Sequence, residues 1–223
     1  MKTDVIKKVK KPWPTKAVME QIYEAKLWGD NGGDFYSGEG SHLPELVKPY
    51  VAGVQSFLKS FESPLTVLDM GCGDFNVGKE LVDFTKEYIA VDIVRDLIEF
   101  NRNKFQYPNL KFYCLDIVND NLPAADCVIL RQVLQHLSNS EIKSIVAKLY
   151  DYQYIVLTEH LPSERFKPNI DIISGQGTRL RKQSGVNLRE APFCLKEKES
   201  KQVLSINAPN HGGQLVTTIF KMF

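Results

Sequence analysis

Residues 65–158 alternate short apolar runs with amphipathic segments, and the first three runs lead to carboxylates: Asp69, Asp92 and Asp116. Strand-length runs separated by helix-patterned stretches predict βαβ units. Such units assemble into a mainly parallel sheet with right-handed crossovers. The predicted strands are 65–70, 88–92, 110–116, 126–131 and 152–158. The predicted helices are 77–84, 94–105 and 138–149, the last opened by the capping-box pair Ser138 and Glu141. Residues 202–206 and 214–221 read as two further strands around the turn signal Asn210-His211-Gly212-Gly213.

The flanking segments follow other rules. Residues 16–28 read as a helix with Val18, Ile22 and Ala25 on one side. Residues 29–41 hold too much glycine for a helix or strand. Leu46, Tyr50, Val54, Phe57, Leu58 and Phe61 recur at helical spacing, and Pro49 must kink that helix or sit in its first turn. Residues 161–195 break the rhythm with prolines, glycines and arginines. They form either an insertion over the site or a poorly packed loop. Two parts are therefore expected. Residues 1–41 form a tail, a helix and a Gly-rich cap, and residues 42–223 form the main domain.

Size and charge narrow the class. The chain has 223 residues, 43% of them hydrophobic, which suits one α/β domain with a full core. Its 28 basic and 27 acidic residues leave a formal charge of +1, which argues against a nucleic-acid coat. Lys7, Lys8, Lys10 and Lys11 are either a solvated tail or a contact for an anionic partner. The four cysteines form no C-x-x-C pair and no metal spacing, which fits a reducing compartment. Neither a signal peptide nor a bilayer-length apolar run is legible, so the expected location is the cytoplasm.

In open parallel sheets the ligand lies beyond the carboxyl ends of the strands. Here the first strand leaves Asp69 and turns through Gly71 and Gly73, which let a backbone approach a ligand closely. Asp92 follows at the spacing of an acidic ribose-binding residue. A dinucleotide site wants a third glycine where this chain has Asn76, and Asp69 and Asp74 would crowd a diphosphate. A ligand with an amino group and a sulfonium, and no phosphate, meets neither objection.

Residues Val67-Leu68-Asp69-Met70-Gly71-Cys72-Gly73-Asp74-Phe75 resemble the first motif of class I S-adenosylmethionine-dependent methyltransferases. Ala90-Val91-Asp92-Ile93 resembles the second, Leu115-Asp116-Ile117 the third, and residues 126–137 the fourth, with its Leu-x-His-Leu ending. The resemblance covers about residues 42–160 and the closing strand pair. It implies a three-layer α/β sandwich whose seven-stranded sheet is mostly parallel, with an antiparallel last strand. It also implies the cofactor S-adenosylmethionine and the product S-adenosylhomocysteine. Asp69 and the Gly71-Cys72-Gly73 backbone would hold the methionine portion. Asp92 would bind the ribose, with Ile93 against the adenine. Asp116 and the Ile117 N–H would bind the adenine edge. The Arg131 carbonyl and Gln132 would meet the amino acid end. Tyr36 and Ser37 either close over the cofactor or belong to a plain loop. Tyr23 and Trp28 read as packing residues.

Methyl transfer needs alignment and exclusion of water, and a hydroxyl acceptor also needs a base. His136, one short turn after the fourth strand, and His160, at the end of the fifth, are the candidates. For His136 a structural role is the first reading, because Leu-x-His-Leu occurs in this fold without catalytic work. Glu159, Asp171, Arg179 and Arg181 are candidate acceptor contacts, the arginines suiting a carboxylate, phosphate or sugar. Segments around Gly38-Glu39-Gly40-Ser41 and Ser184-Gly185-Val186-Asn187-Leu188 faintly resemble bacterial methyltransferases acting on small metabolites or saccharide precursors. The expected partner is a small polar acceptor, without membrane or metal, on a monomer or homodimer. The alternative is an RNA- or protein-directed enzyme or binding module of the same fold.

Overall fold

The structure is a computed structural model describing residues 12–33, 35–208 and 212–223. The lysines at 7–11 and the turn residues Asn210 and His211 lie outside the described residues. Its helices are α1 (Thr15–Glu24), α2 (Pro44–Leu58), α3 (Arg95–Lys104) and α4 (Asn139–Leu149). Its strands are β1 (Thr66–Met70), β2 (Glu87–Asp92), β3 (Leu110–Cys114), β4 (Cys127–Arg131), β5 (Tyr154–Leu161), β6 (Glu199–Asn207) and β7 (Gln214–Lys221).

The strands form one sheet in the order β3-β2-β1-β4-β5-β7-β6. β1 runs parallel to β2 and β4, β2 to β3, and β4 to β5. β7 runs antiparallel to both β5 and β6. Strand order reverses between β1 and β4, and a crevice opens beyond their carboxyl ends, where such sheets bind ligands.

Strand side chains alternate between faces, and the two cores follow. Val67, Tyr88, Ala90, Phe112 and Ile129 pack with α2 residues Tyr50, Val54 and Leu58. Leu68, Met70, Val91, Val128 and Leu130 pack with α4 residues Ile142, Ile145 and Leu149. Met19, Ile22 and Tyr23 of α1 belong to that second core, so α1 packs on the same sheet as the strands after it. The result is a three-layer α/β sandwich.

The capping box at α4 forms as read: Ser138 accepts from the Glu141 N–H and Glu141 reaches back. Several elements differ from the sequence reading: α1 ends at Glu24, β3 ends at Cys114 with Asp116 in the turn beyond it, and β6 is longer at both ends. Residues 77–84 form two 3₁₀ turns, Gly78–Glu80 and Val82–Phe84, and no α-helix. The segment is short, and Asn109 Nδ2 bonds the Val82 and Thr85 carbonyls at 3.0 Å each, fixing its end as a turn. Pro49 sits one turn inside α2, which runs on through it. β5 continues to Leu161 because β7 pairs with it over its whole length, so Glu159 and His160 lie within the strand.

Residues 161–195 have one 3₁₀ turn, Arg179–Lys182, yet they are not loosely packed. Asn169 is 6% exposed; its Nδ2 donates to the Asn187 and Ala191 carbonyls at 2.8 and 2.9 Å, and its Oδ1 accepts from Asn187 N at 2.8 Å. Val186, Leu188, Phe193 and Leu195 enter the core. Among the described residues, no helix is long and apolar enough to cross a membrane.

Candidate active site

β1 ends in a turn that only small residues allow. Gly71 and Gly73 have φ of +79° and +56°. A Cβ on Gly71 would come within 2.6 Å of Val133 Cγ2, so a side chain there is excluded by packing as well as by conformation. The turn is held from the neighbouring strand: Gly71 N and Cys72 N donate to the Val91 carbonyl at 2.8 and 3.0 Å. Gly73 N donates to Asp92 Oδ2 at 3.1 Å, and Asn101 Nδ2 of α3 donates to the Gly73 carbonyl at 2.7 Å.

A covering segment is clasped onto this turn. Ser37 N donates to Asp74 Oδ2 and Asp74 N donates to Ser37 Oγ, both at 2.8 Å. His42 Nε2 meets Asp74 Oδ2 at 2.6 Å, and Tyr23 Oη lies 2.9 Å from Ser37 Oγ. Asp74 therefore fastens residues 37–42 over the glycine turn. The sequence reading used it only to argue against a diphosphate.

A cavity of about 560 Å³ opens between the turn, α1, residues 37–41 and residues 176–181. Asp69, Gly71, Cys72, Gly73, Asp92, Ile93, Asp116 and Ile117 all line it, from three successive strand ends. Ser37, Arg131, Gln132, His136, His160 and Arg181 line it too. Tyr36 does not: its ring lies 4.4 Å from the His42 ring, outside the cavity. In its place Tyr23 and Trp28, read from sequence as packing residues, reach the cavity wall while packing edge-to-face at 5.3 Å. The Trp28 Nε1 and Gln132 Oε1 atoms on this wall are buried without hydrogen-bond partners.

The charges suit a cationic ligand. Asp69 is 6% exposed and burial pushes its carboxyl up to about 7, against the hydrogen bond that Tyr88 Oη donates at 2.9 Å. Burial also raises Asp92 above the usual carboxylate range, opposed by the Val94 and Gly73 amides and reinforced by the charge of Asp74. Removing a sulfonium or ammonium from water beside these carboxylates is compensated, and a diphosphate there would be repelled. Asp116 gives Oδ1 to Val118 N and Oδ2 to Asn119 Nδ2, both at 2.8 Å, so part of its accepting capacity is spent on its own turn. The Arg131 guanidinium turns away from β4 over the Tyr50 ring at 4.8 Å and bonds Ser41 Oγ and the Gly40 carbonyl.

On the acceptor side the two histidines differ. His136 Nδ1 donates to the Gly175 carbonyl at 3.2 Å, so its Nε2 is the accepting nitrogen, met by Gln135 Nε2 at 3.2 Å. Burial pushes His136 down to about 4, despite the carbonyls of residues 175–177, and the ring is neutral at physiological pH. A base that weak takes a hydroxyl proton poorly. His160 Nε2 donates to the Gly212 carbonyl at 2.6 Å, and its backbone N donates to Gln135 Oε1 at 3.3 Å.

Three candidate acceptor contacts are placed elsewhere. Arg179 is 1% exposed and off the cavity wall; its guanidinium donates to the Leu134, Gln135 and Leu137 carbonyls around the 3₁₀ turn Leu134–His136. Glu159 is 2% exposed and points away from the cavity. Asp171 is exposed and accepts from Asn139 N at 2.7 Å. Of that group only Arg181 lines the cavity. Gln135, Gln176 and Thr178 also line it, and no periodicity or motif marks them in the sequence.

Residues 67–152 match the family described as a methyltransferase domain. Over 117 residues the chain is 29% identical to phosphoethanolamine N-methyltransferase 3 of Arabidopsis thaliana, which covers 50% of this chain and 24% of that protein. Over 58 residues it is 40% identical to malonyl-[acyl-carrier protein] O-methyltransferase of Acetivibrio thermocellus, covering 25% of this chain and 20% of that one. The chain thus spans about a quarter or less of the curated relatives it matches. The fold is similar to the N-methyltransferase NodS from Bradyrhizobium japonicum WM9 solved with S-adenosylhomocysteine, at a TM-score of 0.65 and 13% identity over 92% of this chain and 98% of that one. It is also similar to the magnesium protoporphyrin IX methyltransferase of Synechocystis PCC 6803 solved with S-adenosylmethionine, at a TM-score of 0.59 and 16% identity over 95% and 99%. Residues 67–152 thus match a methyltransferase domain, and the chain has the Rossmann-like methyltransferase fold.

Proposed function

We propose that this chain moves a methyl group from S-adenosylmethionine to an oxygen or nitrogen of a small polar metabolite, with sugars and phosphorylated compounds the first to try. One observation carries the reading. The glycine turn and the carboxylates Asp69, Asp92 and Asp116 converge on a single cavity of about 560 Å³. Relatives named for small acceptors, phosphoethanolamine among them, support it.

When bound, the donor supplies a methyl carbon already activated by its sulfonium. The chain's residues hold and align it. Asp69 receives the ammonium, the Gly71–Gly73 backbone and the Arg131 carbonyl frame the methionine portion, and Gln132 lies beside it. Asp92 accepts from the ribose, Ile93 and Ile117 flank the adenine, and Asp116 takes its amino group with the lone pairs its own turn leaves. Ser37, Tyr23 and Trp28 exclude water above the donor. Gln135, His160 and Arg181 face the acceptor.

Two expected results follow. Pairing with an ammonium favours ionised Asp69, so S-adenosylhomocysteine affinity should rise from about pH 5.5 to about pH 8, through the value of about 7. Asp69→Asn should flatten that profile in calorimetry, and a flat wild-type profile would remove the ammonium contact from Asp69. Second, screening sugar, phosphorylated and amine metabolites for S-adenosylhomocysteine release tests the activity itself. With an acceptor in hand, His160→Ala should lower kcat at least about tenfold with donor affinity kept. His136→Ala should cost less, because burial keeps that ring weakly basic. No turnover across the panel, or equal kcat in both variants and wild type, contradicts the acceptor side of the reading.

A further inference from the structure

Two opposite charges are buried behind the acceptor half of the cavity, and neither lines it. Glu159 in β5 is 2% exposed and Arg179 in the cap segment is 1% exposed. Neither Glu159 oxygen makes a hydrogen bond of standard geometry, nor does Arg179 Nε. The rest of the guanidinium is spent on one turn. Nη1 donates to the Leu134 and Gln135 carbonyls at 3.1 and 3.4 Å, and Nη2 donates to the Leu137 carbonyl and Asn139 Oδ1 at 2.7 Å each.

All four bonds are to neutral oxygens, so they leave a buried cation in need of a counter-charge. Glu159 and Asp171 are the carboxylates whose field reaches it. The Leu134 and Gln135 amides and the Arg179 charge favour the charged form of Glu159, against its burial. Arg179 therefore grips the turn that carries Gln135 and His136 into the cavity, with the Glu159 carboxylate within electrostatic reach. The residues flanking Arg179, namely Thr178, Leu180 and Arg181, line the cavity from the cap.

We propose that Glu159 and Arg179 are positioning residues whose buried opposite charges dock residues 176–181 onto the Leu134–His136 turn and so set the shape of the acceptor half of the cavity. The contact of the cap with the turn stands on the four Arg179 bonds, the charge of Glu159 adds to it, and its use in acceptor binding rests on the methyltransferase reading.

The docking has a signature in pH. Burial raises Glu159 to about 8, against the Arg179 charge and the two amides. The other titratable groups facing this couple are Asp171, His160, next along the strand, and His136, which is neutral throughout the window. Above about pH 8 the couple is complete, and below it the carboxylate loses its charge. Between its ordinary value of 4.5 and about 8, the folded chain keeps a proton that the unfolded chain releases. The Glu159 contribution to global stability therefore rises as pH falls, while cap docking weakens. A merely structural residue would move both together.

The test is hydrogen exchange of residues 174–184, corrected for its intrinsic pH dependence, in wild type and Glu159→Gln at about pH 6 and about pH 9. Calorimetry with S-adenosylhomocysteine is run on the same samples. The two proteins should coincide at the lower pH. At the higher pH the wild-type cap should be at least about tenfold more protected, with β1–β4 amides and ligand affinity unchanged. Arg179→Lys keeps the charge without the fork and should lose cap protection at both pH values. Equal cap protection of Glu159→Gln and wild type at the higher pH overturns the proposal, as does a loss spread equally over β1–β4. If wild type binds no S-adenosylhomocysteine, the donor reading falls and the cap result still decides the docking.

Discussion

Asp92→Ala is expected to weaken S-adenosylhomocysteine binding by about 100-fold or more, which is roughly 2.7 kcal/mol. Two losses combine. The first is the charged acceptor for the ribose hydroxyls, and a hydrogen bond to a charged group contributes about 1.5–3 kcal/mol. The second is local: Asp92 Oδ2 holds Gly73 N at 3.1 Å and Oδ1 holds Val94 N at 3.1 Å, so alanine also frees the glycine turn and the entry to α3. Asp92→Asn keeps one accepting oxygen and should lose less. The fold should survive both changes, because the carboxylate contributes no apolar packing. Calorimetry on folded variants checks this, and unchanged affinity in Asp92→Ala would remove the ribose from this strand end.

Phe75→Ala should have the largest effect on stability, about 3–5 kcal/mol in chemical denaturation. Phe75 is 0% exposed and stands edge-on to Tyr88, Phe105 and Phe112, with centroids 5.6, 5.2 and 4.9 Å away. It also packs on Gly78, so the ring ties the glycine turn to α3 and to two strands. Phe75→Leu keeps most of the volume and should lose under about half as much. A loss below about 1.5 kcal/mol for alanine would mean that the neighbouring rings collapse into the space.

The sheet was legible because its signal is local. Val67, Leu68 and Met70, or Val128 and Leu130, are apolar whichever helix covers them, and a carboxylate at a strand end stands out against such a run. The cavity rim was legible too, since Asp69 and Asp92 lie at the ends of neighbouring parallel strands and Asp116 stands two residues past the end of the third. The acceptor half was less legible because long-range partners decide it. Arg179 read as a candidate acceptor contact, since arginines are mostly exposed. The turn Leu134–His136, 40 or so residues earlier, turns carbonyls into the interior, and the guanidinium goes there. Tyr23 and Trp28 read as packing residues and do pack on each other, but Tyr23 is near the end of α1 and Trp28 in the turn beyond it, and both reach the cavity wall. Tyr36 stacks on His42 because Asp74 draws that histidine to the glycine turn, a contact across 32 residues.

The central claim is that the glycine turn and its carboxylates hold an S-adenosyl donor. Titrating the unmodified chain with S-adenosylhomocysteine in a calorimeter tests it most directly. The account predicts saturable binding of one molecule per chain with a dissociation constant on the order of micromolar, or about −8 kcal/mol. It also predicts that Asp92→Ala abolishes the signal at the same concentrations. Heat that never saturates at ligand concentrations on the order of millimolar would contradict it.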